Sequence, residues 1–220
     1  RKSNMRNSSK NKIIAKPSSK KLTGKNMRIA LIRHGETKSN ENHKYCGKRN
    51  DDPLTKRGIY NLEQSRDRVG YPCADIVYTS PKIRSKQTAD ILYKNKKQVM
   101  IEEFDEIDFG DFEGKSYHEL NGNPLYQQWI DSNGEMPFPN GDNKEDYCKN
   151  VVKGFNKALD TAKKKDVSDI AIVVHGGTIM ALMSTLAGMG YFEAMVANGG
   201  GYYLETVEED DIRLKVIGKL

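Results

Sequence analysis

The sequence predicts an α/β fold, a three-layer sandwich with a mostly parallel central sheet and helices on both faces. Three observations carry this expectation. Short unbroken apolar runs at 29–32, 76–78 and 170–174 have the length and make-up of parallel strands buried on both sides. Each run ends abruptly in a polar cluster. Stretches with helical spacing alternate with the runs along the chain.

The elements follow in order. The run 29–32 is the first strand and ends at Arg33. Leu54, Ile59, Leu62 and Val69 then recur at roughly helical spacing, with Thr55 as the N-cap. After the strand at 76–78, Ser80 followed by Pro81 is a helix start, and the helix runs through Arg84, Thr88 and Ile91. A short strand is expected at 99–101. Residues 121–143 are rich in Gly, Asn and Pro and read as an irregular excursion around a helical piece at 125–130, forming one wall of a cleft. A polar helix over 144–164 leads into the strand 170–174, which ends at His175, and Gly176 and Gly177 turn the chain into a helix over 178–186. Strands at 201–207 and 212–217, around a hairpin signal at 208–211, close the chain.

The chain has 220 residues, which suits one domain of ordinary size with a tail. Its net charge of +6 is unevenly spread: residues 1–26 hold nine Lys or Arg and no acid, leaving 27 basic against 30 acidic residues. A tail of that composition buries too little apolar surface to offset its chain entropy, so residues 1–26 are expected to be a disordered basic extension and 27–220 the folded domain. Met27, just before the first strand, is a candidate start. Such a tail can touch RNA or anionic lipid, but a plain upstream extension explains it as well, and nucleic acid is not the expected partner. The apolar runs are too short to cross a bilayer and the N-terminus lacks the apolar segment of a secretion signal, so a cytoplasmic location is expected, with no membrane partner. Cys46, Cys73 and Cys148 are scattered and form no CxxC pair, the pattern of reduced thiols. Nothing in the sequence decides between a monomer and a homodimer.

The polar clusters carry the chemistry. Arg33-His34-Gly35-Glu36-Thr37, Ser80 to Arg84, and His175-Gly176-Gly177 each follow an apolar strand. Ligands of open α/β sheets bind beyond the carboxyl ends of the strands, so the clusters should converge and put two His and two Arg in one pocket. Arginine forks suit phosphate geometry. A neutral imidazole is a competent nucleophile toward phosphorus, giving a phosphohistidine that water later hydrolyses. A glycine after each histidine lets the backbone approach the ligand, and helix N-termini after Ser80 and Gly177 add N–H donors. Any one of these residues alone has an ordinary structural explanation; their joint occurrence at equivalent strand ends does not. A zinc site fits poorly, because His43 and His118 lack ligand spacing to the other two and two arginines would repel a divalent cation. No metal and no cofactor is implied. A proton donor for the leaving group is to be sought among Glu102, Glu103, Asp105, Glu106 and Asp108, which composition alone does not rank.

These motifs resemble a family. RHGETKSN at 33–40 looks like the RHG signature of the histidine phosphatase superfamily, the phosphoglycerate mutase-like enzymes, and is similar in wording to the branch of α-ribazole phosphatase. DDPLTKRG at 51–58, YTSPKIRSKQTA at 78–89, FDEIDFGDFEG at 104–114 and VVHGGTI at 173–179 resemble further family segments in the same order, from Met27 to the C-terminus. The resemblance implies a phosphatase acting on a small phosphate monoester, with His34 as nucleophile and Arg33, Arg84 and His175 as the phosphate clamp. It further implies Glu106 as proton donor with Asp108 as fallback, Asn40 near the phosphate and the Thr37 hydroxyl at the pocket entrance. Phe112 stands where phosphatase relatives often have Trp, and Asn140-Gly141-Asp142-Asn143 replaces a more usual Gly-Gly-Glu-Ser. The rival within the family is a mutase, which tends to be longer; the rival outside it is a binding module that has kept the fold.

Overall fold

Apolar side chains at successive positions of the central strands give the sheet two buried faces, and a layer of helices covers each. The structure is a computed structural model that describes residues 26–68, 70–208 and 211–220. Its elements are β1 (Arg28–Arg33), α1 (Lys38–Glu41), α2 (Lys56–Arg68), β2 (Ile76–Thr79), α3 (Ile83–Leu92), β3 (Gln98–Met100), α4 (Tyr117–Leu120), α5 (Pro124–Asp131), α6 (Lys144–Lys164), β4 (Asp169–Val174), α7 (Gly176–Leu186), β5 (Gly201–Glu208) and β6 (Ile212–Lys219). The strand order is β3-β2-β4-β1-β5-β6. The first four strands are parallel, with Ile170 of β4 opposite Ile29 on one side and Ile76 on the other. β5 and β6 run antiparallel at one edge. The sandwich is therefore as expected.

The strand period of two sorts the core. Ile29, Leu31, Ile170, Ile172 and Val174 face Val151, Phe155 and Leu159 of α6 and Ile179, Leu182 and Met183 of α7. Ala30, Ile32, Ala171 and Val173, between them in sequence, face Leu62 of α2 and Ala89 and Leu92 of α3. Met27 is buried, and its N donates to Thr206 Oγ1 at 2.9 Å while Thr206 N donates to Met27 O at 2.9 Å.

Most boundaries follow the sequence. Thr55 Oγ1 accepts from Gly58 N at 2.9 Å and caps α2, and the Asn143 side chain caps α6 by accepting from Asp146 N. Residues 1–25 of the basic extension, Val69, and residues 209–210 of the expected hairpin turn lie outside the described residues. One helix start differs. α3 begins at Ile83 rather than at Pro81: the Ser80 hydroxyl, 2.7 Å from His175 Nε2, accepts from Lys82 N at 3.2 Å ahead of the helix, and Asp51 Oδ1 takes Ile83 N at 2.7 Å. α7 begins two residues earlier than expected, at Gly176. β3 is shifted back by one residue. Among the described residues no helix is long and apolar enough to cross a membrane.

Candidate active site

β2, β4 and β1 are neighbours in the sheet, so the three polar clusters meet beyond their carboxyl ends. His34 N donates to Val174 O at 2.9 Å, which ties the end of β1 to the end of β4. The rings of His34 and His175 stand edge to face with centres 5.2 Å apart.

Hydrogen bonds fix the proton on each ring. His34 Nδ1 lies 2.7 Å from the carbonyl of Gly35, an obligatory acceptor, so Nδ1 carries the proton and Nε2 keeps its lone pair. Burial, then the charges of Arg84 and Arg33, hold the His34 pKa well below its ordinary value. His34 is thus neutral at pH 7, with the Nε2 lone pair unprotonated. At His175 the pattern is reversed: Arg84 Nε donates to Nδ1 at 3.3 Å, so the proton sits on Nε2 and points at Ser80 Oγ. Burial, with the Arg84 charge next, also pushes the His175 pKa well down.

The two arginines occupy different depths. Arg33 borders the open cleft; its Nη1 donates to Val196 O at 2.8 Å and its buried Nε has no partner among the described residues. Arg84 is wholly buried and donates to Asn50 O at 2.8 Å and Gly47 O at 3.3 Å as well as to His175. The expectation of two His and two Arg sharing one pocket needs correcting in this respect: Arg33 and His34 border the cleft, and Arg84 and His175 form the layer behind.

Among the five acids, Glu106 reaches the cleft. It is buried, and burial raises its pKa against the opposing pull of N–H donors from Ile107 and Gly177 and of Arg84 and Arg33. Ile107 N donates to Oε1 at 3.0 Å, Gly177 N to Oε2 at 3.2 Å, and the Tyr147 hydroxyl lies 3.1 Å from Oε1. The same hydroxyl is 3.1 Å from Thr178 Oγ1 and 3.1 Å from Asp105 O. The fallback Asp108 is spent elsewhere, in an ion pair with Arg49 at 2.9 Å. Asp105 faces Lys82 at 3.5 Å, and Glu103 pairs with Lys157 and Lys153.

Other expectations shift. Thr37, expected at the pocket entrance, is fully buried, and its hydroxyl takes part in the capping box of α1 with Asn40. Asn40 does border the cleft, with its Oδ1 accepting from Thr37 N at 3.1 Å and from Asn198 Nδ2 at 3.0 Å. Asn198, which sequence reasoning missed, also donates to His34 O at 3.0 Å and so anchors the backbone of His34. The glycines serve packing as well as approach. A Cβ on Gly35 would stand 2.6 Å from Leu62, and one on Gly177 2.2 Å from Glu106 Oε1. Phe112 is a core residue, and Asp142 Oδ2 accepts from Asp108 N at 3.0 Å, so the segment 140–143 braces the acid-bearing loop. A cleft of about 280 Å³ opens over Arg33, His34 and Glu106, with Trp129, Gly134 and Phe138 of the 121–143 excursion in its wall as expected.

A parallel sheet whose strand ends gather a neutral imidazole, a guanidinium group and a buried carboxyl around one cleft, with a second guanidinium group in the layer behind, fits an enzyme of the phosphatase class. The chain belongs to the histidine phosphatase superfamily, branch 1, whose sequence profile matches residues 29–215. It is 32% identical over 162 residues to the uncharacterized phosphatase PhoE of Bacillus subtilis, covering 73% of this chain and 77% of that one. The α-ribazole phosphatase of Shigella flexneri superposes with a TM-score of 0.67 at 28% identity, over 86% of this chain and 95% of that one. The phosphoserine phosphatase of Entamoeba histolytica, solved with 3-phosphoglyceric acid, does so with a TM-score of 0.70 at 27% identity, over 87% and 95%.

Proposed function

We infer that the enzyme is a phosphomonoesterase that works in two steps through His34. In the first, His34 Nε2 forms a bond to phosphorus in line with the departing oxygen, the P–O bond breaks, and the Glu106 proton passes to the alkoxide. In the second, the Glu106 carboxylate takes a proton from water, the hydroxide attacks phosphorus, and the N–P bond breaks to release phosphate. Arg33 seats the phosphoryl oxygens from the cleft, and Arg84 and His175 support it from the layer behind. The observation that carries this reading is the Gly35 carbonyl on His34 Nδ1, which leaves Nε2 unprotonated beside two fixed positive charges. The steps call on these side chains and water. All three cysteines are free, with Cys73 exposed, which supports a reducing cytoplasmic setting.

The test is phosphoenzyme trapping. A rapidly quenched reaction with a radiolabelled phosphomonoester should leave acid-labile phosphate on the protein. His34→Ala should remove the label and at least roughly a thousandfold of kcat, because water does not replace an imidazole held next to phosphorus. Label that survives in the variant would place the nucleophile elsewhere.

A further inference from the structure

The cleft above His34 is walled by rings. Trp129 and Phe138 have ring centres 5.0 Å apart, and Phe109 meets Phe138 edge-on at 5.1 Å. Tyr191 and Phe192 meet edge-on at 5.3 Å, and all five rings border the same cavity as His34 and Glu106. The two sets converge at Gly134, where a Cβ would stand 3.0 Å from Phe192 and 3.3 Å from Trp129. At the mouth, Phe192 and Met195 remain 42% and 56% exposed, apolar surface left open beside a reactive centre.

The cations of the cleft wall point the same way. Lys44 lies 3.9 Å from the Glu119 carboxylate, and Lys144 is paired with Glu135 while its Nζ stands 5.2 Å from the centre of the Tyr191 ring. A carboxylate carried by the substrate would have to compete with the acid already in place at Lys144, the lysine beside the Tyr191 ring. A ring would meet ready-made edges and faces.

Building on the phosphatase reading, we propose that the enzyme selects phosphomonoesters whose alcohol carries an aromatic ring. The phosphoryl group sits at Arg33 and His34, and the ring lies between the Trp129–Phe138 pair and the Tyr191–Phe192 pair. Trp129 and Phe192 are specificity-determining residues. Small carboxylated esters such as phosphoserine bind the phosphate end and leave these walls uncovered.

The experiment compares kcat/KM for 3-phenylpropyl phosphate, n-propyl phosphate, O-phosphoserine and 3-phosphoglycerate. All four release alkoxides, so the ranking reads the remote group more than leaving-group activation. Burying the ring should favour phenylpropyl over propyl phosphate by about 10- to 100-fold, with the two carboxylated esters near or below propyl phosphate. The phenylpropyl-to-propyl ratio should fall about fivefold or more in Phe192→Ala, whose side chain is partly exposed, and in Trp129→Leu. Each ratio is taken within one preparation, so a smaller folded fraction cancels. Turnover led by phosphoserine or 3-phosphoglycerate, or ratios that neither variant changes, would overturn the aromatic preference and leave the phosphatase reading standing. No turnover of any ester, or turnover that survives His34→Ala, would overturn both.

Discussion

Arg84 Nε donates to His175 Nδ1 across 3.3 Å, and His175 must therefore direct its ring proton at Ser80 Oγ, 2.7 Å from Nε2. With one nitrogen accepting and the other donating, His175 has no free lone pair for phosphorus. The fork that holds it there is itself held by the carbonyls of Asn50 and Gly47. The two histidines of the site thus differ in role because they differ in tautomer.

That difference is measurable. His175→Asn should still form acid-labile phosphoenzyme with a labelled substrate, while kcat/KM falls on the order of a hundredfold from the loss of a preorganised donor and of the Arg84 contact. Loss of labelling in His175→Asn with labelling kept in His34→Ala would reverse the assignment.

Opposite pKa shifts at His34 and Glu106 set the pH dependence. In the proposed mechanism His34 acts as the neutral nucleophile, and its pKa is lowered, so activity is gained as pH rises through that value. In the same mechanism Glu106 acts as the protonated acid, and its pKa is raised, so activity is lost as pH rises through that value. A bell-shaped kcat/KM profile results for alkyl phosphates. Glu106→Gln should flatten the basic limb and cost about 10² to 10⁴ with alkyl phosphates, but much less with p-nitrophenyl phosphate, whose leaving group needs no proton. Equal losses for both substrates would remove Glu106 from the acid role.

Gly177→Ala tests the same carboxyl without altering it. The new Cβ would stand 2.2 Å from Glu106 Oε1, so the carboxyl must move off its N–H donors. A loss of roughly ten- to a hundredfold with alkyl phosphates and little with p-nitrophenyl phosphate is expected, since a displacement near 1 Å disturbs proton transfer far more than binding. A uniform loss accompanied by a collapse in melting temperature would mean the fold, rather than the acid, had been disturbed.

The sequence carried the sheet and the main catalytic candidates because both depend on local signals. Apolar runs of strand length, an N-cap at Thr55 before a helically spaced segment, and polar residues directly after each strand are all readable within a few positions. What it did not carry depends on partners far apart in the chain. Ser80 before Pro81 reads locally as a cap, and its hydroxyl does accept from Lys82 N at 3.2 Å, but it is shared with a histidine 95 residues on. Asn198 sits before two glycines and reads as a turn, yet it spans 164 residues to reach the His34 carbonyl. The ring wall of the cleft is drawn from separate segments, each of which alone looks like ordinary core.

Tyr147 is the least legible of these residues, a buried aromatic on α6 that any periodicity argument assigns to the core. Its hydroxyl nevertheless stands 3.1 Å from Glu106 Oε1, where Ile107 N already donates. Its single proton has Asp105 O and Glu106 Oε1 as acceptors at the same distance, and when it turns to Oε1 that oxygen carries two donors against the one that Gly177 N gives Oε2, which directs the transferable proton to Oε2. Burial and the Glu106 charge beside it raise the Tyr147 pKa well above its ordinary value, which keeps this hydroxyl a donor throughout the working range. Tyr147→Phe removes one donor to the ionised carboxylate, so the Glu106 pKa should rise and the basic limb of the alkyl-phosphate profile should move to higher pH. At the same time the proton is free to sit on either oxygen, and kcat/KM should fall about three- to tenfold with alkyl phosphates while p-nitrophenyl phosphate is nearly unaffected. A purely structural tyrosine would lower the melting temperature and scale both substrates down together, with no movement of the limb, and that outcome would assign Tyr147 to packing alone.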